Sequence, residues 1–129
     1  MQKLTAHDVL RRYNDERMPE FADIELTGVN QTGRFGNTPL DIAATRGNIE
    51  EVRALLEGGA DPNARCEHGV TALHDAVGLG HLEIAKLLLS NGAKPDARAE
   101  FGGTPREWAE RKGFTDIVAL LDGTVSGNS

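Results

Sequence analysis

Apolar positions along this chain come in short clusters with helical spacing, each closed by glycine, and the clusters return every 33 residues. Thr5, Thr38, Thr71 and Thr104 keep the same interval, and a shared pattern grows around the last three. The unit from Gly36 and the unit from Gly69 align without a gap, while a third from Gly102 keeps the first two thirds and stops. An internal repeat of this length predicts stacked supersecondary units. In each unit the threonine precedes Asp41, His74 or Glu107 by three residues, with Pro39 or Pro105 beside it in the first and third, which predicts a helix start. Gly47, Gly80 and Gly113 end that short helix. A second helix runs from Ile49, Leu82 or Thr115 to Leu55-Leu56, Leu88-Leu89 or Leu120-Leu121. Gly58-Gly59 and Asn91-Gly92 close it, and Ala60-Asp61-Pro62-Asn63 and Ala93-Lys94-Pro95-Asp96 carry the turn chemistry of a projecting loop.

The polarity of the units says how they are arranged. The middle unit's second helix carries Leu82, Ile84, Ala85, Leu87, Leu88 and Leu89, too much for one stripe, so it needs neighbours on two sides. In the third unit Arg106 replaces Leu40 and Leu73, and Glu107, Glu110, Arg111 and Lys112 crowd the same helix, as a terminal cap facing water requires. Residues 1–28 form a weaker copy: Thr5 and Asp8 read as a capping box and Val9, Leu10 and Tyr13 keep helical spacing, but Pro19 interrupts the place of a second helix. This segment is expected to act as a degenerate N-terminal cap, with Met18, Phe21, Ile24 and Leu26 covering the first full unit. Asn30, 33 residues before Asn63, returns the chain to register. The repeats are therefore expected over 29–122, with units near 36–68, 69–101 and 102–122, and a flexible tail over 123–129.

These residues together resemble the ankyrin repeat. Gly36-Asn37-Thr38-Pro39-Leu40, Ala43-Ala44, Leu55-Leu56 and Gly59-Ala60-Asp61-Pro62-Asn63 carry the resemblance in the first unit. Gly69-Val70-Thr71-Ala72-Leu73-His74, Gly80-His81 and Leu87-Leu88-Leu89 carry it in the second. It implies an all-α solenoid of stacked helix-turn-helix units, β-hairpin-like loops projecting from it, and a concave surface that in this family usually binds other proteins. It implies no reaction and no cofactor. Histidines placed like His74 and His81 usually tie adjacent turns together in such repeats.

Composition narrows the function further. A net charge of −6 with no Lys/Arg run disfavours nucleic acid. Neither a secretory h-region nor the roughly 20 apolar residues of a membrane span is found. Cys66 is the sole cysteine, in keeping with a reducing compartment. A cytoplasmic monomer is the expectation. Cys66 and His68 come nearest to a nucleophile and base, or to half a zinc site, but both lie near a loop tip without a third group, so no catalytic and no metal residue is assigned. Asp75 stands where Ile42 and Trp108 stand in the neighbouring units. A carboxylate there either faces the groove and is available to a ligand or pairs internally.

Within the resemblance, partner contacts map to the loop residues Arg34, Phe35 and Asn37, then Glu67, His68 and Val70, then Glu100, Phe101 and Gly103. The groove supplies Thr45 and Arg46, Gly78 and Leu79, Arg111 and Lys112, with Asp75 between them. Phe35, Leu79 and Phe101 are large apolar groups at positions where the repeat asks for none, as interface anchors are. Arg46, Arg111 and Lys112 favour a partner segment with acidic residues near an apolar one. The expected function is non-catalytic protein binding that masks or bridges a partner. The alternatives are an immunity-type or regulatory inhibitor of one enzyme, and an enzyme or small-molecule binder using Asp75, His74 and Cys66.

Overall fold

In the computed structural model, which describes residues 3–126 and side chains as far as Gly123, each of the four threonines caps a helix. Each threonine hydroxyl accepts from the backbone N–H three residues on, and the side chain there, Asp8, Asp41, His74 or Glu107, accepts from the threonine's own N–H. The helices so started are α1 (Ala6–Glu16), α2 (Pro39–Arg46), α4 (Ala72–Gly78) and α6 (Pro105–Lys112). The last three return through tight turns into α3 (Ile49–Glu57), α5 (Leu82–Ser90) and α7 (Thr115–Ser126). Gly47 and Gly113 make two of these turns in the left-handed region, at φ 73° and 77°, where a Cβ is strained.

Helices α2, α4 and α6 pack in one row and α3, α5 and α7 in a second. Leu40, Leu55, Leu73, Leu88, Ile117 and Leu121 are fully buried and form a continuous apolar seam. The central helix α5 buries Ile84, Ala85 and Leu88 and packs Leu82, Leu87 and Leu89 against the same core, the two-sided burial its composition predicts. The loops are tied at the repeat interval. Asn30 Nδ2 donates to the Gly59 carbonyl at 3.1 Å while its Oδ1 accepts from the Asp61 N–H at 2.8 Å. Asn63 makes the same two bonds to Gly92 and Lys94, at 2.9 and 2.8 Å. Among the described residues the loops hold no regular strand, only an isolated antiparallel bridge between Ala99 and Gly103.

Two features depart from the 33-residue spacing. Although Thr5 starts α1 in register with α2, α1 lies against α3 rather than in the α2–α4–α6 row. Lys3 pairs with Glu57 at 3.0 Å, Ala6 sits against Gly58, and Arg12 and Tyr13 both bond Glu51, so α1 runs antiparallel to α3. A shared cap fixes where a helix begins; its one apolar stripe, Val9, Leu10 and Tyr13, is satisfied by whichever flank will bury it. The chain then makes a short 3-10 turn over Pro19–Phe21, burying Met18, Phe21 and Leu26, and Asn14 holds Leu26 by both backbone groups. At the other end, α7 continues to Ser126, so the tail expected from 123 starts inside a helix, and residues 127–129 lie outside the described residues. Ile117 and Leu121 are fully buried and anchor α7, and a lone Gly123 costs it only about 1 kcal/mol.

Candidate protein-binding face

The α2–α4–α6 row and the three loop tips leading into it form the face on which the sequence places its candidates. Ile42, Asp75 and Trp108 hold equivalent positions on the three helices. Trp108 packs edge-on to His74, with ring centroids 4.9 Å apart. A Cβ on Gly78 would come within 3.0 Å of the indole, and one on Gly102 within 2.5 Å of its Nε1, so these two glycines make room for the ring. Its buried Nε1 has no hydrogen-bond partner among the described residues. Trp108 is the groove residue that sequence reasoning missed; its equivalence to the singled-out Asp75 was the available signal.

At the loop tips Phe35, His68 and Phe101 occupy one column, 33 residues apart. Phe35 and Phe101 are 53% and 66% exposed. The His68 ring meets Phe101 edge-on at 5.1 Å, and its Nδ1 lies 3.2 Å from Glu100. Adjacent tips are fastened by the same backbone bond, from the Glu67 N–H to the Phe35 carbonyl and from the Glu100 N–H to the His68 carbonyl, at 3.0 and 2.7 Å. Exposed Glu67 flanks His68 at 3.8 Å. Val70, half-buried, gives its carbonyl to the Cys66 N–H and thiol, and Asn37, also half-buried, keeps its Oδ1 in the interior.

The basic candidates are largely engaged within the molecule. Arg46 donates to Glu16 at 3.1 Å and stacks over Tyr13 at 5.3 Å. Arg111 donates to the Gly102 carbonyl at 3.0 Å, and Arg34 pairs with Asp23 at 3.5 Å. Thr45, though exposed, returns its hydroxyl to the Asp41 carbonyl. Lys112 is exposed at the last turn of α6, and Leu79, 52% exposed, caps α4 one turn beyond Asp75.

Cys66 and His68 do not meet as nucleophile and base. The thiol donates to Val70 O at 3.2 Å, and burial, then the charges of Asp41 and Asp75, push it up to about 12; a thiol so held is a poor nucleophile. His68 turns to Glu100 instead. Among the described residues no group of three or more His, Cys, Asp or Glu is placed to hold a metal ion. His74 is fully buried: Nδ1 accepts from the Thr71 N–H at 3.1 Å, which assigns the proton to Nε2, donated to the Gly103 carbonyl at 2.9 Å. Burial holds its affinity for a second proton below the ordinary value. His81 instead lays its ring against Gly47 of the preceding unit. Two clefts, of about 570 and 250 Å³, lie along the N-terminal segment between Tyr13, Arg17 and Ile24 and between Leu10, Arg11 and Leu26, away from this chemistry.

Asp75 is half-buried and its carboxyl has no hydrogen-bond or ion-pair partner among the described residues, which closes the internal-pairing alternative. Burial first, then the charge of Asp41, push it up to about 8; burial likewise lifts Asp41 to about 6 against the two bonds from Thr38. The folded state therefore keeps a proton on Asp75 across pH values where the unfolded chain, titrating near 4, has lost it. Asp75 thus contributes stability at low pH that disappears as pH rises through about 8. Asp75→Asn removes this titration: urea unfolding is expected to show the variant more stable than the wild type by about 1–3 kcal/mol at pH 9, with the gap closing towards pH 4. A gap independent of pH would show that the carboxyl is not desolvated.

Helix pairs sharing one seam, fastened loop to loop and presenting an open face, define a repeat solenoid built for recognition. A family model described as ankyrin repeats (3 copies) matches residues 12–99, and the chain belongs to the ankyrin-repeat family, whose members are generally protein–protein interaction modules. The match starts inside α1 and stops before α6, yet α6 keeps the same capping box and left-handed glycine turn as α2. Among the described residues no helix is long and apolar enough to cross a membrane.

Proposed function

We propose that this chain is a non-catalytic module that binds one protein partner through its concave face and loop tips, masking or bridging it, as a cytoplasmic monomer without cofactor. The observation that carries this is the contrast between a core in which large apolar side chains are buried and three, Phe35, Leu79 and Phe101, left more than half exposed on the loop tips and the end of α4. Apolar groups in such places are stabilised by a partner rather than by the fold. The loop-to-loop bonds add rigidity, so little ordering entropy is lost on binding. Catalysis by Asp75, His74 and Cys66 is disfavoured by a protonated thiol and a histidine committed to Thr71 and Gly103.

Affinity capture from the source cell, with wild type and the triple variant Phe35→Ala, Leu79→Ala, Phe101→Ala as baits, tests the reading. The wild type is expected to retain one protein that the variant loses by tenfold or more, about 1.4 kcal/mol, while both keep the same helical circular dichroism. Equal capture by both baits rules the concave face out. If the captured protein is an enzyme, its inhibition by the wild type separates masking from bridging.

A further inference from the structure

Arg46, Arg111 and Arg34 already have partners within the fold, and the Asp41 carboxylate is committed to Thr38. At the centre of the row the Asp75 carboxyl is left without a hydrogen-bond or ion-pair partner among the described residues. It lies between the positions of Ile42 and Trp108, with the exposed Leu79 one helical turn away and the half-buried indole of Trp108 packed against Gly78. We propose that the concave face receives a basic side chain of the protein partner, arginine or lysine, on Asp75, with its aliphatic stem against Leu79 and Trp108. This rests on the concave-face reading and reverses the polarity that the sequence alone suggests for the partner.

The physical argument is one of compensation. A half-buried carboxyl without a partner is costly to ionise, and an incoming cation supplies the missing charge where solvent is already partly excluded. The apolar surroundings suit the methylene stem of a long basic residue, and arginine also stacks on aromatic faces. The protein's net charge of −6 attracts a basic segment from a distance. The titratable groups bearing on Asp75 are Asp41 from α2 and the neutral Cys66 thiol from the loop, and Trp108 holds the equivalent position on α6. The charge of Asp41 opposes an anion at Asp75 and welcomes a cation. When empty, the carboxyl holds a proton to about pH 8, so the cation displaces that proton as it binds.

The test is selection of a displayed library of random 12-residue peptides on the immobilised protein, followed by synthesis of the enriched peptides with their basic residue intact or replaced by norleucine. Kd values are measured by calorimetry on wild type, Asp75→Asn and Leu79→Ala. The expected result is enrichment of arginine or lysine beside apolar residues, about a tenfold loss on wild type when that residue becomes norleucine, and less than a twofold loss on Asp75→Asn. Peptides weakened by Leu79→Ala but lacking a basic residue, or losing equally on both proteins, overturn the assignment while leaving the concave face intact as the binding surface. Peptides indifferent to both variants bind elsewhere and overturn both readings. A selection that enriches nothing also overturns the assignment.

Discussion

Replacing Glu51 with alanine lowers the free energy of unfolding by about 2–4 kcal/mol, the cost of leaving a buried hydroxyl without its charged acceptor together with the loss of a half-exposed ion pair. Glu51 is 1% exposed; it accepts from the Tyr13 hydroxyl at 2.6 Å and from Arg12 at 3.1 Å. Tyr13 is equally buried, and desolvation with the adjacent carboxylate keeps its phenol protonated well above the ordinary range. Without Glu51 that hydroxyl loses its acceptor inside the protein, and α1 loses its central tie to α3. Arg12 is half-exposed, so its share is the smaller. Tyr13→Phe, which leaves the Arg12 pair in place, is expected to cost about 1–3 kcal/mol. Urea titration gives both numbers, and amide exchange should show α1 opening before the other helices in the alanine variant. A Glu51→Ala protein within 1 kcal/mol of wild type would mean that desolvation of the carboxylate cancels what it gains.

His74→Ala is expected to cost about 2–4 kcal/mol and, more tellingly, to split the unfolding transition. The ring fills a site with no solvent exposure, completes the capping box of α4 and bonds the Gly103 carbonyl of the next unit. In a linear array each unit is held chiefly by its neighbours, so weakening one junction lowers the cooperativity across it. Trp108, the single tryptophan, packs on His74 and reports the far side of that junction. Its fluorescence should change at lower urea than the helical circular dichroism in the variant, and together with it in the wild type. His74→Asp can form the same box as Asp41 but cannot reach across, so it should recover the cap while keeping the split. Coincident transitions in His74→Ala would place the coupling in the apolar seam alone. The first unit has Asp41 at this position, bonded only within its own turn, which makes the α4–α6 junction the one with the extra tie.

Much of the fold was legible because its instructions are local. Each capping box closes within three residues, α2, α4 and α6 each turn at a left-handed glycine, Gly47, Gly80 or Gly113, and the ties of Asn30 and Asn63 follow from one spacing applied twice. The candidate site was legible only as a set of positions. Phe35, Leu79 and Phe101 stand exposed because the repeat leaves nothing to cover them, a fact that the pattern already contained. Arg46 looked equally available, but it is taken by Glu16, 30 residues earlier in the chain, and no local rule announces a pair at that distance. The place of α1 was hidden for the same reason, since its stripe fits several flanks and the choice depends on Glu51 and Gly58.

By itself the sequence determined the repeat, the caps, the glycine turns after α2, α4 and α6 and the apolar seam, all set by hydrogen bonds and burial patterns that act within a turn or a period. Tertiary structure alone decided which polar groups are engaged and which remain: Arg46 is paired with the distant Glu16 and Arg111 is bonded to the Gly102 carbonyl, whereas Asp75 is half-buried with no partner among the described residues. Ionisation depends on everything packed around a group in three dimensions, and only the folded chain brings Asp41 and Cys66 near that carboxyl.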